Sequence, residues 1–254
     1  MAVINIEHMS LYLKYGLNAS LILPDKYDKG DKLKCLWLYH GSSGDHMAWM
    51  LHANLTEIAN KRKIAIILPN VRESCFVDMA VGEKYGSYVG RELYSMIHNM
   101  FAITSDKRED NAVSGFSNGG YGCMHIGLKY PKKYAYIGAL SAGDKAESEY
   151  KQDGSLKSKY RERLFGVGDI SNTEYSFLYQ AKLLKESGFK NPPKIYQACG
   201  ELDPWVGMSR NSRDFFEANA DFYDYKYVED KGYAHEWDFW TKQLDEFLDY
   251  IGWK

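Results

Sequence analysis

The chain has 254 residues, 45% of them hydrophobic and 26% charged, which is enough to bury a substantial core without crosslinks. Its 34 acidic and 32 basic residues leave a net charge of −2, so it carries no electrostatic footprint for nucleic acid or an anionic membrane surface. The four cysteines, Cys35, Cys75, Cys123 and Cys199, are far apart, and no C-x-x-C metal or redox motif exists.

In chain order, residues 4–13 and 19–23 alternate apolar and polar side chains around a turn at Lys14-Tyr15-Gly16, which predicts an edge hairpin. The same segment lacks a basic region followed by an apolar core. The expectation is a cytoplasmic protein, with a signal peptide already cleaved from a mature form left open. Residues 34–40 (KCLWLYH) and 64–68 (IAIIL) are near-continuous apolar runs, as in strands buried on both faces. Between them Asp45 is placed to cap a helix over 46–60. Residues 70–84 show no period and read as a loop. Over 85–100, Val89, Leu93, Met96, Ile97 and Met100 recur at helical spacing.

A strand over 111–116 and a helix over 118–129 follow, the helix ending before Pro131. Residues 134–140 form the next strand. Residues 144–169 are polar and charge-rich, and read as a partly helical insertion over the sheet edge. Helices over 174–187, 209–219 and 236–251 then alternate with strands over 194–199 and 222–228. This alternation predicts one α/β domain over 1–254, with a mostly parallel sheet, an N-terminal antiparallel hairpin and helices on both faces. No stretch approaches the roughly 18–20 apolar residues that span a bilayer.

Where the strand over 111–116 meets the helix over 118–129 stands Gly115-Phe116-Ser117-Asn118-Gly119. G-x-S-x-G between a strand and a helix is the nucleophile-elbow signature of α/β-hydrolases. The serine must occupy a tight, strained turn, and side chains two positions either side would collide with neighbouring backbone. A serine needs a base, and the base needs an orienting carboxylate, in the chain order Ser, Asp or Glu, His. Only His125 and His235 follow Ser117. His125 lies within the elbow helix and cannot fold back, so His235, in the loop before the last helix, is the predicted base. After the strand over 194–199, Asp203 is the preferred acid and Glu201 the competitor. The developing oxyanion requires preorganised donors, and the backbone N–H groups of Asn118 and Ser42 are placed for it, with Ser43 next. Trp49, Trp205 and Trp237, with Ser43, are candidate pocket residues for a sugar or aryl group. No phosphate-binding glycine loop and no metal-ligand spacing occurs, so neither cofactor nor metal is expected.

Seven blocks stand in order: H-G-S-S-G-D-x-x-x-W from His40, Pro69-Asn70, Y-x-x-Y-V-x-x-E-L from Tyr85, G-F-S-N-G-G-Y-G, Y-P-K-K-Y with L-S-A-G, C-G-x-x-D from Cys199, and H-E-W-x-x-W from His235. Together they resemble the esterase-D-type α/β-hydrolases, closest to bacterial tributyrin esterases and related to acetylxylan and feruloyl esterases and S-formylglutathione hydrolases. The resemblance implies a serine carboxylesterase for short acyl chains with Ser117, Asp203 and His235 as triad. An acetylxylan or feruloyl esterase is the alternative; S-formylglutathione hydrolysis and a non-catalytic binding module rank below it. The expected partner is a small-molecule or carbohydrate-linked ester; homo-oligomerisation is left open. Those families usually carry methionine where this chain has Asn118, which makes the pocket floor more polar.

Overall fold

The structure, a computed structural model, describes residues 2–28, 30–147 and 151–254. Eight strands form one mixed sheet: β1 (Ala2–Met9), β2 (Gly16–Leu23), β3 (Lys34–Tyr39), β4 (Ile64–Pro69), β5 (Asn111–Phe116), β6 (Tyr136–Leu140), β7 (Lys194–Gly200) and β8 (Tyr225–Asp230). Their spatial order is β1-β2-β4-β3-β5-β6-β7-β8. β1, β2 and β4 pair antiparallel, and every pairing from β4 through β3 to β8 is parallel.

Alternation along each strand sorts side chains to two faces. Cys35, Trp37 and Tyr39 join one core with Val113, Tyr121 and Phe216, while Leu36 and Leu38 join the other with Leu244 and Phe247. The first core is covered by the helical segment over 85–100, which comprises α3 (Tyr85–Ser87) and α4 (Tyr94–Met100), and by α5 (Asn118–Lys129), α7 (Phe177–Glu186) and α8 (Val206–Ala218). The second lies under α2 (Leu55–Arg62) and α9 (Trp237–Tyr250). The fold is therefore α/β, with both faces of the sheet sheltered, as the apolar strand runs required.

Several boundaries differ from the sequence expectation. The hairpin turn is longer, because Ser10 Oγ and the N–H groups of Leu11 and Tyr12 all donate to the Glu92 carboxylate and hold the chain out of strand geometry. The helix over 46–60 is two helices, α1 (Ala48–His52) and α2. Ala53 is extended, and Asn54 Oδ1 caps α2 by accepting from Glu57 N–H. Asp45 Oδ1 accepts from Met47 N–H, a local turn rather than the start of one long helix. The segment over 85–100 is helical throughout but passes through a π-turn at Tyr88–Leu93, and Met100 is exposed. The insertion carries a 3-10 turn at Lys145–Glu147 and α6 (Leu156–Phe165); its residues 148–150 lie outside the described residues.

β3 sends the chain to β4 on one side, while β5 lies on its other side. That reversal opens a crevice beyond the carboxyl ends of β3 and β5, where open α/β sheets bind ligands. Tyr39 pairs with Gly115, so the segments leaving both strands, Gly41 to Ser43 and Ser117, emerge side by side.

Candidate active site

Ser117 joins β5 to α5 with φ +56° and ψ −121°, a region non-glycine residues avoid. Its N–H donates to Leu140 O at 2.9 Å, which pins the turn to β6. The two glycines leave no room for a side chain. A Cβ on Gly119 would stand 2.5 Å from His40 O and 2.6 Å from Tyr39 O, and one on Gly115 2.7 Å from the Gly119 backbone. Gly119→Ala must therefore push backbone at the end of β3. We expect a loss of about 3 kcal/mol in a denaturant melt, at the upper end for overpacking. A fall in kcat should accompany it, since the displaced segment continues into Ser42.

The predicted base and acid meet. His235 Nδ1 lies 2.8 Å from Asp203 Oδ2, and the Asp203 side chain is fully buried. The acid and base loops are joined to each other, Glu201 N–H donating to Asp230 O and Leu202 N–H to Tyr233 O, both at 2.9 Å. Burial pushes the Asp203 carboxyl up, but hydrogen bonds from His235, Trp205 N–H and Ser141 outweigh it and hold the group below the usual carboxylate range. Glu201, the competitor, is exposed, and among the described residues it accepts a long contact from Gly232 N–H at 3.4 Å. Ser117 and His235 line one trough.

The arm after β3 is held by a residue whose role sequence reasoning missed. His40 is buried; its Nδ1 lies 2.8 Å from Gly41 O and its Nε2 accepts from Val71 N–H at 3.2 Å. Burial pulls its imidazole down to about 4, so it is neutral near pH 7, with Nδ1 protonated toward Gly41. The Ser43 N–H is already engaged by the Glu73 carboxylate, which removes Ser43 from the candidate donors. Among the described residues no acceptor is found for Ser42 N–H or Asn118 N–H. Both amides are thus available, and Asn118 N–H also sits at the positive end of α5.

Ser141 is a second missed residue, although it stands in the L-S-A-G block. At φ +52° and fully buried, it accepts from Trp240 Nε1 at 2.8 Å, and its hydroxyl helps hold the Asp203 carboxyl down.

Two compartments open beside Ser117. One is a cavity of about 50 Å³, walled by Asn118, Tyr121, Ala142, Lys145 and Met208. The other is an open trough of about 790 Å³, bordered by Met47, Leu51, Trp237, Trp240 and His235. Ser42, Ser117 and Trp205 border both. Trp237 lies on the trough wall, stacked on His52 at 4.1 Å. Trp49 corrects the sequence expectation. It is fully buried, donates its indole N–H to Tyr39 O at 2.9 Å, and backs Trp237 and Phe116 from behind rather than facing ligand.

A strained serine at a strand–helix elbow, on a mixed sheet covered on both faces, defines an α/β-hydrolase. Residues 10–164 match the Esterase family. The chain is 33% identical to an acetyl esterase of Caldicellulosiruptor saccharolyticus, across 99% of this chain and 98% of that one. Among solved structures it resembles FphF, a fluorophosphonate-binding serine hydrolase of Staphylococcus aureus, with a TM-score of 0.86, 26% identity and 98% of each chain covered. The S-formylglutathione hydrolase FrmB of Staphylococcus aureus gives 0.83 and 26%, again over 98% of each chain. The protein belongs to the Esterase family and is a carboxylic ester hydrolase.

Proposed function

We propose that the protein hydrolyses short-acyl esters, acetyl above all, of bulky neutral alcohols, through an acyl-enzyme on Ser117. The reading is carried by the 2.8 Å contact of His235 Nδ1 with Asp203 Oδ2, beside a trough that Ser117 also lines. With Nδ1–H held by the carboxylate, His235 Nε2 is the basic nitrogen and takes the Ser117 proton as Oγ attacks the carbonyl. The Ser42 and Asn118 amides receive the oxyanion. The imidazolium returns its proton to the departing alcohol, and water, activated by the same nitrogen, releases the acid.

That proton return decides which compartment takes which half of the ester. The leaving oxygen must lie within reach of His235, so the alcohol occupies the trough His235 borders. The acyl group turns into the cavity of about 50 Å³, which matches an acetyl group and not a feruloyl group. Among the described residues the trough is bordered by Asp45 and by no lysine or arginine, a poor complement to the carboxylates of glutathione. Its tryptophans suit the face of a sugar or aryl ring. The relative's description as an acetyl esterase agrees with this assignment.

An ester panel tests it. With p-nitrophenyl esters, kcat/KM for acetate should exceed that for octanoate by about 10²-fold, the scale set by a pocket that rejects extra methylenes. Acetylated xylan should be deacetylated, and methyl ferulate should be a poor substrate. A preference for methyl ferulate or octanoate would mean that the acyl group uses the trough, and would favour the feruloyl esterase reading.

A further inference from the structure

We propose that the Ser42 hydroxyl is a third oxyanion donor, aimed by a one-way hydrogen-bond relay that runs from Lys145 through the Asn118 side chain. The inference rests on Ser117 being the nucleophile and adds a residue to that site.

The direction of the relay follows from what each atom can do. A lysine ammonium only donates, and Lys145 Nζ lies 2.9 Å from the Asn118 side chain, so the atom facing it is the amide oxygen. The amide nitrogen, which also only donates, is then turned to Ser42 Oγ at 2.6 Å. Ser42 Oγ must accept that bond through a lone pair, and its own proton is directed away from Asn118. Among the described residues no protein acceptor takes this proton.

Ser42 also stands where the reacting carbonyl must lie. With Ser117 and Trp205 it borders both the acyl cavity and the alcohol trough, and the carbonyl carbon joins the two halves of the ester at that junction. A hydroxyl fixed before substrate arrives needs no reorganisation as charge develops, and the ammonium at the head of the relay polarises each bond after it. The arrangement also accounts for Asn118. An apolar side chain at this position could neither receive the Lys145 bond nor donate to Ser42.

The test is steady-state kinetics on p-nitrophenyl acetate, with affinity for a trifluoromethyl ketone transition-state analogue measured alongside. Ser42→Ala keeps the backbone N–H and removes only the hydroxyl. It should lower kcat by about 10²-fold, the scale of losing one oxyanion donor, and weaken the analogue in parallel while KM stays nearly constant. Ser42→Thr, which restores a hydroxyl, should recover most of the rate. Asn118→Leu and Lys145→Met should each lower kcat less than Ser42→Ala. Each should cost clearly less in the Ser42→Ala background than in the wild type, because a relay without its last member no longer transmits. Ser42 is exposed, so its substitution has little bearing on folding. If Ser42→Ala keeps wild-type kcat while a fluorophosphonate still labels Ser117, the third donor is refuted and the nucleophile stands. Additive losses in the double variants would refute the relay. Activity retained in Ser117→Ala would overturn both readings.

Discussion

Ser117→Ala is expected to reduce kcat by about 10⁶-fold, the loss seen when a triad serine is removed from a serine hydrolase. Fluorophosphonate labelling should vanish with it. The informative part is the comparison with stability. Ser117 sits at φ +56° with Leu140 O receiving its N–H, and alanine keeps both the Cβ and the backbone bond. The unfolding midpoint of Ser117→Ala should therefore equal that of the wild type. Ser117→Gly should be just as inactive, yet more stable by about 1 kcal/mol. Glycine relieves strain of roughly 1–3 kcal/mol and gives part of it back through the greater freedom of its unfolded chain. A serine held at an unfavourable angle for the sake of its hydroxyl predicts this ordering. An elbow strained for packing alone would lose stability on the change to glycine. The measurements are active-site labelling, initial rates and a urea melt on three proteins.

How much of this was legible in the sequence depends on how local the cause was. The elbow could be read to the residue, strand 111–116 and helix 118–129, because the constraint acts within five consecutive positions. That Asp203 and His235 would meet followed from chain order and from loops that end parallel strands. What escaped was set by partners distant in the chain. Trp49 looked like a pocket residue because nothing near it reveals that Tyr39 O, Phe116 and Trp237 enclose it. Ser43 looked like a possible donor because Glu73, thirty residues on, is what engages its N–H. The single helix over 46–60 failed at Ala53, where Asn54 offered a better cap than continuing the helix would. Ser141 carried a signal only in hindsight: a serine between a strand end and a glycine, at positive φ, bonded to a tryptophan almost a hundred residues away.

The backbone N–H of Trp205 bears directly on the choice of acid, because it limits how an amide could sit at position 203. Asp203 Oδ1 accepts from Trp205 N–H at 2.8 Å, and Oδ2 lies 2.8 Å from His235 Nδ1. In Asp203→Asn the fixed Trp205 N–H, which bonds the Oδ1 position, claims the amide oxygen. The NH₂ is left facing His235. Nδ1 must then accept, Nε2 carries the ring proton, and the base cannot take the proton of Ser117. We expect kcat to fall by about 10⁴-fold with the fold intact, as for other triad aspartates changed to asparagine. Glu201→Gln, at an exposed side chain facing Gly232, should leave kcat close to wild type. The reverse pattern would make Glu201 the acid. The two proteins should also differ in their response to pH. Hydrogen bonding holds the Asp203 carboxyl below its unfolded value of about 3.9, so its stabilisation is present above that pH and is lost as pH falls through the lower folded value. Asp203→Asn lacks that contribution at neutral pH. Its melting curve should therefore lie below the wild type at pH 7 and converge on it as the pH drops under about 4.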